Sequence, residues 1–371
     1  GPAGPDAGPP PRPEPAGPGR LRRYYDSIES IVDYRKLWAT GVGLCVLWRA
    51  LFTRADVVVA SGPPWSAYLP ATLAGAVFRA PLVIDLRDPW YGNLIWTAAH
   101  KSPLKDRVEA ALERFCFGRA ARVVCTSDGA ARKVRDRYGW GEERVPIIYN
   151  GYEPAPGGPE GAAGPRLNLV YSGTLYMNRD PTALLEGIAG LVERPDVDRG
   201  RVRLTLVGSP AWGELDINDW ARARGLSDCI EAVGWLPTNA AARKVMEADV
   251  LVNLAQGQPD QIPAKTFEYM ASGKETVALT EAESDTAQLM RRTGTGRVLD
   301  PADPKGIAEA LWDLYRRYVV AGERYRPDWS VIQDYSRSAQ NERFRALIDA
   351  VCAGREHGEA PGGERRHAPG S

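Results

Sequence analysis

Val250-Leu-Val-Asn-Leu-Ala-Gln-Gly-Gln-Pro-Asp-Gln-Ile-Pro-Ala-Lys-Thr-Phe-Glu-Tyr-Met-Ala-Ser-Gly273 contains one complete unit of the architecture. Val250–Leu254 is apolar almost throughout, as expected of a strand buried on both faces. A polar loop, Ala255–Gln261, follows, and a helical pattern starts at Pro263, which suits the first turn because its missing N–H would be unpaired there. The loop and helix start therefore fall at the C-terminal edge of a strand. The free N–H groups and dipole of that helix terminus favour a phosphate, and Lys265 adds a positive charge beside it. Glu268 lies eight residues after Asp260, so one carboxylate sits in the loop and the other about a turn into the helix. Carboxylates in such positions accept paired hydrogen bonds from vicinal hydroxyls, as on a ribose or hexose.

The same rhythm of apolar run, turn and helical pattern extends in both directions. Toward the N-terminus the runs are Ala55–Ser61, Leu82–Leu86, Arg122–Cys125 and Val145–Tyr149. Around the quoted unit they are Leu167–Ser172, Val202–Val207, Ile230–Val233, Val250–Leu254, Thr276–Leu279 and Gly296–Leu299. Helical patterns between them, such as Pro103–Phe117 and Pro181–Val192, make βαβ units with parallel sheets and helices on both sides. A Gly/Pro-rich break at 151–166 separates two such series and reads as a linker between two sheets, the alternative being a long loop within one. The expected class is α/β, with two doubly wound domains facing a cleft lined by strand C-termini. The expected organisation is a disordered Pro/Gly-rich segment at 1–20, an N-terminal domain over 21–150, a linker at 151–166, a C-terminal domain over 167–335, a helix at 336–353 and a disordered tail at 354–371.

Composition narrows the function classes. Lys plus Arg and Asp plus Glu are 47 each, which removes a global electrostatic argument for nucleic acid. Hydrophobic residues at 44% and charged residues at 25% fit a globular protein. Five scattered cysteines and three histidines contain no metal-ligand spacing, and dispersed cysteines fit a reduced cytoplasmic protein. The longest apolar segment, Leu37–Trp48, is well short of the roughly 20 residues a membrane span needs. Its favoured reading is a buried helix leading into the next strand. The other reading is an interfacial anchor, with Arg20–Arg23 and Leu37–Trp48 making peripheral contact with the inner face of a membrane.

The pattern Pro263-x-Lys265-x-x-Glu268-Tyr-Met-Ala-x-Gly273 resembles the donor-site helix of retaining GT-B glycosyltransferases of family four. In that family two acidic residues separated by seven positions hold the nucleotide ribose and the transferred sugar. The resemblance assigns the ribose to Glu268 and the sugar hydroxyls to Asp260, where a Glu is more usual. Leu169-Val-Tyr-Ser-Gly173-Thr174-Leu-Tyr-Met-Asn-Arg179 resembles the Gly-containing loop that opens the family's C-terminal domain and supplies basic side chains to the donor diphosphate. The usual Arg after Gly173 is Thr174, and Arg179 is the nearest replacement; a solvated charge at a helix entry is the plain alternative. Gly208 and Gly234 are further strand-end glycines in the order the family shows.

Asp85-Leu-Arg87-Asp88-Pro-Trp90 resembles an Asp-x-Arg-Asp-x-Trp segment of a bacterial subset of the family associated with polysaccharide assembly, and Ser61-Gly-Pro-Pro64 has a counterpart there. By analogy Asp85, Arg87 and Asp88 face the acceptor and the sugar, although buried Asp–Arg pairs also serve only to hold loops. Cys125-Thr-Ser127 and Asn150-Gly151 complete the pattern, with Ser127 read as a helix cap. Asp196-Val-Asp198 has the form of a manganese-binding pair but lies at the opposite end of its strand from the expected cleft, so neither a metal nor another cofactor is expected. The family's N-terminal domain normally starts with further βα units and a Gly-rich loop that are not evident before residue 30. Either the chain is truncated there or the domain is reduced.

The resemblance implies transfer of a sugar from a nucleotide diphosphate donor, most commonly a UDP-sugar, to an acceptor hydroxyl with retention of configuration. The acceptor class is open among glycans, lipid-linked glycans and small molecules. Lys265, Arg179 and the helix terminus at Pro263 would neutralise the departing diphosphate. Two other readings stay open: a nucleotide-sugar epimerase, and a non-catalytic protein of the same architecture that binds a nucleotide sugar or supports a partner.

Overall fold

A computed structural model of the chain describes residues 32–33, 35–90, 103–153, 166–176 and 178–356. The expected segments 1–20 and 354–371 and most of the 151–166 break lie outside them or nearly so. Two compact units divide the chain between residues 121 and 122.

The first unit contains helix α1 (Lys36–Arg49), strand β1 (Val58–Gly62), helix α2 (Tyr68–Phe78), strand β2 (Leu82–Leu86) and helix α3 (Pro103–Arg119). β1 and β2 pair in parallel, with Val58 opposite Leu82 and Gly62 opposite Leu86. β2 is buried at every position, its Asp85 included, as expected of a largely apolar strand covered on both faces. Tyr68, Trp90 and Phe117 close the core beside it. Segment Leu37–Trp48 is a helix, but it is not the buried helix expected. Leu37 is 88% exposed, and Leu51 and Phe52, just beyond the helix, are 74% and 71% exposed. Ala39 is buried and Gly43 faces Pro70 and Leu73 of α2.

The second unit begins within strand β3 (Ala120–Cys125) and continues into helix α4 (Asp128–Tyr138). The expected strand Val145–Tyr149 is reduced to a single bridge, Ile147 to Cys125. The segment runs alongside β3, but Pro146 has no N–H to donate, so the ladder cannot continue through it.

A six-stranded parallel sheet forms the body of this unit. Its strands are β4 (Leu167–Gly173), β5 (Val202–Gly208), β8 (Ile230–Gly234), β9 (Val250–Leu254), β10 (Glu275–Leu279) and β11 (Gly296–Leu299), with a small hairpin of β6 (Ala211–Trp212) and β7 (Leu215–Asp216) beside it. The spatial order is β11-β10-β9-β4-β5-β8. The chain therefore builds outward from β4 through β5 to β8, then returns to lay β9 on the other side of β4 and builds outward again. Helices α5 (Thr182–Val192), α6 (Ile217–Ala223), α7 (Thr238–Glu247), α8 (Ala264–Ala271) and α9 (Asp285–Thr293) make the crossovers, and α10 (Pro304–Tyr315) follows the last strand.

The alternation of side chains along each strand sends them into two cores. Leu169 and Leu204 pack with Leu184, Ile188, Ile307 and Leu311 from α5 and α10. Val170, Val207 and Leu251 pack on the other face with Tyr269 from α8 and with Ala241 and Val245 from α7. Helices on both faces are what strands buried on both sides require. A long helix α11 (Arg337–Glu356) ends the described chain, close to the expected 336–353.

Gly173 and Gly208 are register partners at the C-terminal ends of β4 and β5. Gly208 has φ +126°, and a Cβ there would collide with the Gly173 carbonyl. Replacement by alanine combines backbone strain with a collision against main chain that cannot swing aside. Gly208→Ala should therefore destabilise the protein by about 3 kcal/mol or more, read as a lower urea midpoint at unchanged slope. An unchanged midpoint would contradict the packing of these two strand ends.

Candidate active site

The reversal of strand order lies between β4 and β9, which pair through Leu169–Val250 and Val170–Leu251. In an open parallel sheet this switch point leaves a crevice at the strand C-termini, because the connections on its two sides run in opposite directions. Gly173, Thr174 and the loop after β9 are at that place.

α8 is set over it by its buried face. Thr266, Phe267, Tyr269 and Met270 are buried, while Glu268 is exposed and Lys265 partly so. The Tyr269 hydroxyl accepts from the Ser172 N–H at 2.9 Å and donates to the Ser172 carbonyl at 3.3 Å. Burial pushes this phenol above its ordinary value, so it stays a neutral donor. Asn253 at the end of β9 donates to Thr266 at 2.9 Å, tying strand to helix. Pro263 is the residue before the helix, with extended backbone (φ −55°, ψ 138°), and Ala264 is the first helical residue. This corrects the expected helical position of Pro263: its ψ holds it outside the first turn. It supplies no side-chain cap, so no side chain of its own competes for the first N–H groups.

The turn carrying Arg179 is laced to the same loop. Gln256 donates to the Asp180 carbonyl at 2.8 Å, and Asn178 to the Gly257 carbonyl at 3.3 Å. The Arg179 guanidinium lies over the Tyr176 ring, 4.5 Å from its centroid. Lys265 and Glu268 form an ion pair of 2.7 Å, both half exposed. The cation expected at a diphosphate and the carboxylate expected at a ribose thus hold each other in the free protein.

Asp260 has partners that its sequence context did not announce. Its carboxylate is paired with Lys133 of α4, and its carbonyl accepts from the Ser127 hydroxyl at 2.6 Å. Ser127 also caps α4 by accepting from the Ala130 N–H, the role read for it. Asp285, at the start of α9, accepts from the Gly129 N–H at 2.7 Å and donates its own N–H to the Pro259 carbonyl. Burial raises the Asp285 carboxyl above its ordinary value, against the hydrogen bonds it accepts. Asp128 accepts from Tyr149 at 2.8 Å and from Arg292 at 3.0 Å. The start of α4 is in this way stitched to the loop after β9 and to α9. No local pattern signals Lys133, because a single Lys on a polar helix reads as a solvated charge.

The other expected catalytic residues lie in the first unit. Asp85 accepts from the Ser61 hydroxyl and from Arg87, each at 2.8 Å, while its second oxygen is buried with no hydrogen-bond partner among the described residues. The Asp88 carbonyl accepts from the Trp65 indole at 3.2 Å, and burial raises the Asp88 carboxyl above its ordinary value. The peptide bonds Gly62–Pro63 and Pro63–Pro64 are cis. Asp196 accepts from the Trp312 indole at 2.8 Å, and Asp198 caps a short turn at Gly200.

Residues 3–151 match the family described as glycosyl transferase 4-like domain, and residues 166–317 match glycosyl transferases group 1. A lipopolysaccharide outer core galactosyltransferase, WaaB in its apo form, is 16% identical with a TM-score of 0.56, over 85% of this chain and 80% of its own. HepE from Anabaena, in complex with UDP and glucose, is 17% identical with a TM-score of 0.58, over 83% of this chain and 81% of its own. An alpha,alpha-trehalose 6-phosphate synthase from Burkholderia multivorans is 14% identical with a TM-score of 0.60, over 93% of this chain and 85% of its own. A search of curated proteins gave no match. The fold is GT-B, and with both domain families matched in series the chain is a glycosyltransferase, its second half a group 1 domain.

Two consequences are measurable. Tyr269→Phe leaves the Ser172 N–H buried without its acceptor, which should cost about 1–3 kcal/mol in urea denaturation; a cost near zero would show that α8 is not held by this hydroxyl. Burial alone would raise Asp128, but the hydrogen bonds from Arg292 and Tyr149 outweigh it and bring the carboxyl below its ordinary value. A depressed carboxylate contributes stability at pH above its unfolded value, about 4, and loses it as pH falls through the folded value. Asp128→Asn should therefore lower Tm at pH 7, with the gap to wild type closing as pH drops below about 4. A gap that stays constant across that range would contradict the network.

Proposed function

We propose that this glycosyltransferase takes a nucleotide diphosphate sugar, a UDP-sugar first among them, at the switch point between β4 and β9, and transfers the sugar to an acceptor hydroxyl with retention of configuration. The observation that carries the reading is the placement of α8. Tyr269 fixes the helix against Ser172, its first N–H groups carry no side-chain cap, and Lys265 and Glu268 lie on its exposed face. Glu268 holds the ribose hydroxyls and Asp260 those of the sugar. Lys265 and Arg179, with the helix terminus after Pro263, face the diphosphate, whose charge grows as the glycosidic bond breaks. Gly173, Thr174 and Gly208 leave main chain open at the strand ends. No metal is assigned to this chemistry, since cations and a helix terminus can neutralise a diphosphate.

Asp85, Arg87 and Asp88 are proposed on the acceptor side, in an acceptor domain over 21–150 joined by the 151–166 stretch to the donor domain over 167–335. Burial raises the Asp88 carboxyl above its ordinary value, the direction that favours a proton-carrying group. HepE holds UDP and WaaB is named for lipopolysaccharide core synthesis; on that similarity we place this chain in bacterial polysaccharide or glycoconjugate synthesis, in the cytoplasm. Among the described residues no helix is long and apolar enough to cross a membrane.

Thermal melting with a panel of nucleoside diphosphates tests the donor assignment, since a ligand selective for the folded state raises Tm by mass action. One base, uracil, should give a selective rise. Glu268→Ala should weaken that ligand roughly 10- to 100-fold, the worth of hydrogen bonds to a charged group. No shift with any base, or an undiminished shift in the variant, would remove Glu268 from the donor site.

A further inference from the structure

We propose that Lys133 and Asp260 form a two-signed clamp for adjacent hydroxyls of the transferred sugar, so that Lys133 helps to decide which sugar the site takes. The clamp rests on the assignment of Asp260 to the sugar. Lys133 is four residues beyond Gly129, so the two share a face of α4, and that face is set hard against the loop after β9. A Cβ at Gly129 would lie 2.7 Å from one Asp260 carboxylate oxygen and 2.9 Å from the Asp260 Cβ, an approach that leaves no room for a side chain there. With the helix held so close, the Lys133 ammonium pairs with the other Asp260 oxygen.

Holding α4 in place does not need this pair. Ser127 and Gly129 already fix the start of the helix, through the Asp260 carbonyl and the Asp285 carboxylate. The Lys133 side chain is 60% exposed and that of Asp260 25%, and an ion pair so open to water adds little to stability. Its chemistry suits a diol instead. Each sugar hydroxyl both donates and accepts, whereas a carboxylate only accepts and an ammonium only donates. Asp260 alone would take the hydroxyl protons and leave the hydroxyl oxygens unpaired; Lys133 supplies donors for them. The ammonium also offsets the repulsion between the Asp260 charge and a diphosphate in the same site. The donor that fits is a nucleotide sugar with two free, adjacent hydroxyls at the clamp, and a sugar deoxygenated at either is discriminated against.

The test is calorimetric binding of UDP, UDP-glucose, UDP-galactose, UDP-N-acetylglucosamine and UDP-glucuronic acid to the full chain. At least one UDP-sugar should bind more tightly than UDP. Lys133→Met should weaken the tightest of them roughly tenfold and UDP less than about twofold. Lys133→Arg, which keeps the charge, should recover most of the loss. Monodeoxy forms of the same UDP-sugar should bind wild type more weakly at two adjacent positions, and that penalty should shrink in Lys133→Met. Equal weakening of UDP and UDP-sugar by Lys133→Met, or an unchanged sugar affinity with or without a fall in Tm, would overturn the clamp while leaving the donor site standing. UDP-sugars that bind no more tightly than UDP would overturn it in the same way. No binding of any of the five ligands would remove the donor site, and the clamp with it.

Discussion

The hydroxyl of Tyr269, held between the N–H and the carbonyl of Ser172, is the contact on which the candidate site depends. β4 is the strand from which the sheet builds in both directions, and its end is the place where a parallel sheet leaves its connections apart. An apolar side chain at 269 would pack α8 against the sheet, but it would not fix the helix to one residue of one strand. Main-chain groups buried at a strand end must be paired, and here they are paired by the helix that carries Lys265 and Glu268. Position of site and satisfaction of backbone are thus one requirement.

Around that anchor the charged groups are already matched. Lys265 pairs with Glu268, Lys133 with Asp260, and Arg292 with Asp128. These pairs are partly exposed, and pairs of that kind are worth little in themselves. Such weak pairing keeps cations and carboxylates of a polar crevice in place at small cost and lets them exchange partners when a charged ligand with hydroxyls arrives. Ser127, Gly129 and Asp285 differ, since their contacts involve main-chain groups and hold the start of α4 against the loop after β9.

Much of this was legible in the sequence because it depends on local periodicity. Val250–Leu254 and Gly296–Leu299 are strands with the expected ends, and Leu82–Leu86 likewise, since short, mostly apolar runs between turn signals admit few other structures. The order of glycines at strand ends and the Pro263–Gly273 pattern put the loop after β9 and the start of α8 at the C-terminal edge of the sheet, where the structure has them. Val145–Tyr149 has the apolar content of a strand, but pairing is a property of N–H groups, and Pro146 lacks one. Leu37–Trp48 has the composition of a core helix; composition tells how much surface a helix needs covered and not what covers it. The Lys133–Asp260 pair, and the Ser127–Asp260 contact across 133 residues, leave no local trace at all. They are products of topology, which brings the start of α4 to the loop after β9.

The most direct test of the central claim, that the donor sits where α8 meets the ends of β4 and β9, is photolabelling with 5-azido-UDP followed by peptide mapping. The account predicts label on peptides from the loop after β9 and α8, residues 255–273, and from the turn after β4, protected by excess UDP. Specific label confined to other parts of the chain, or label that UDP does not displace, would contradict it.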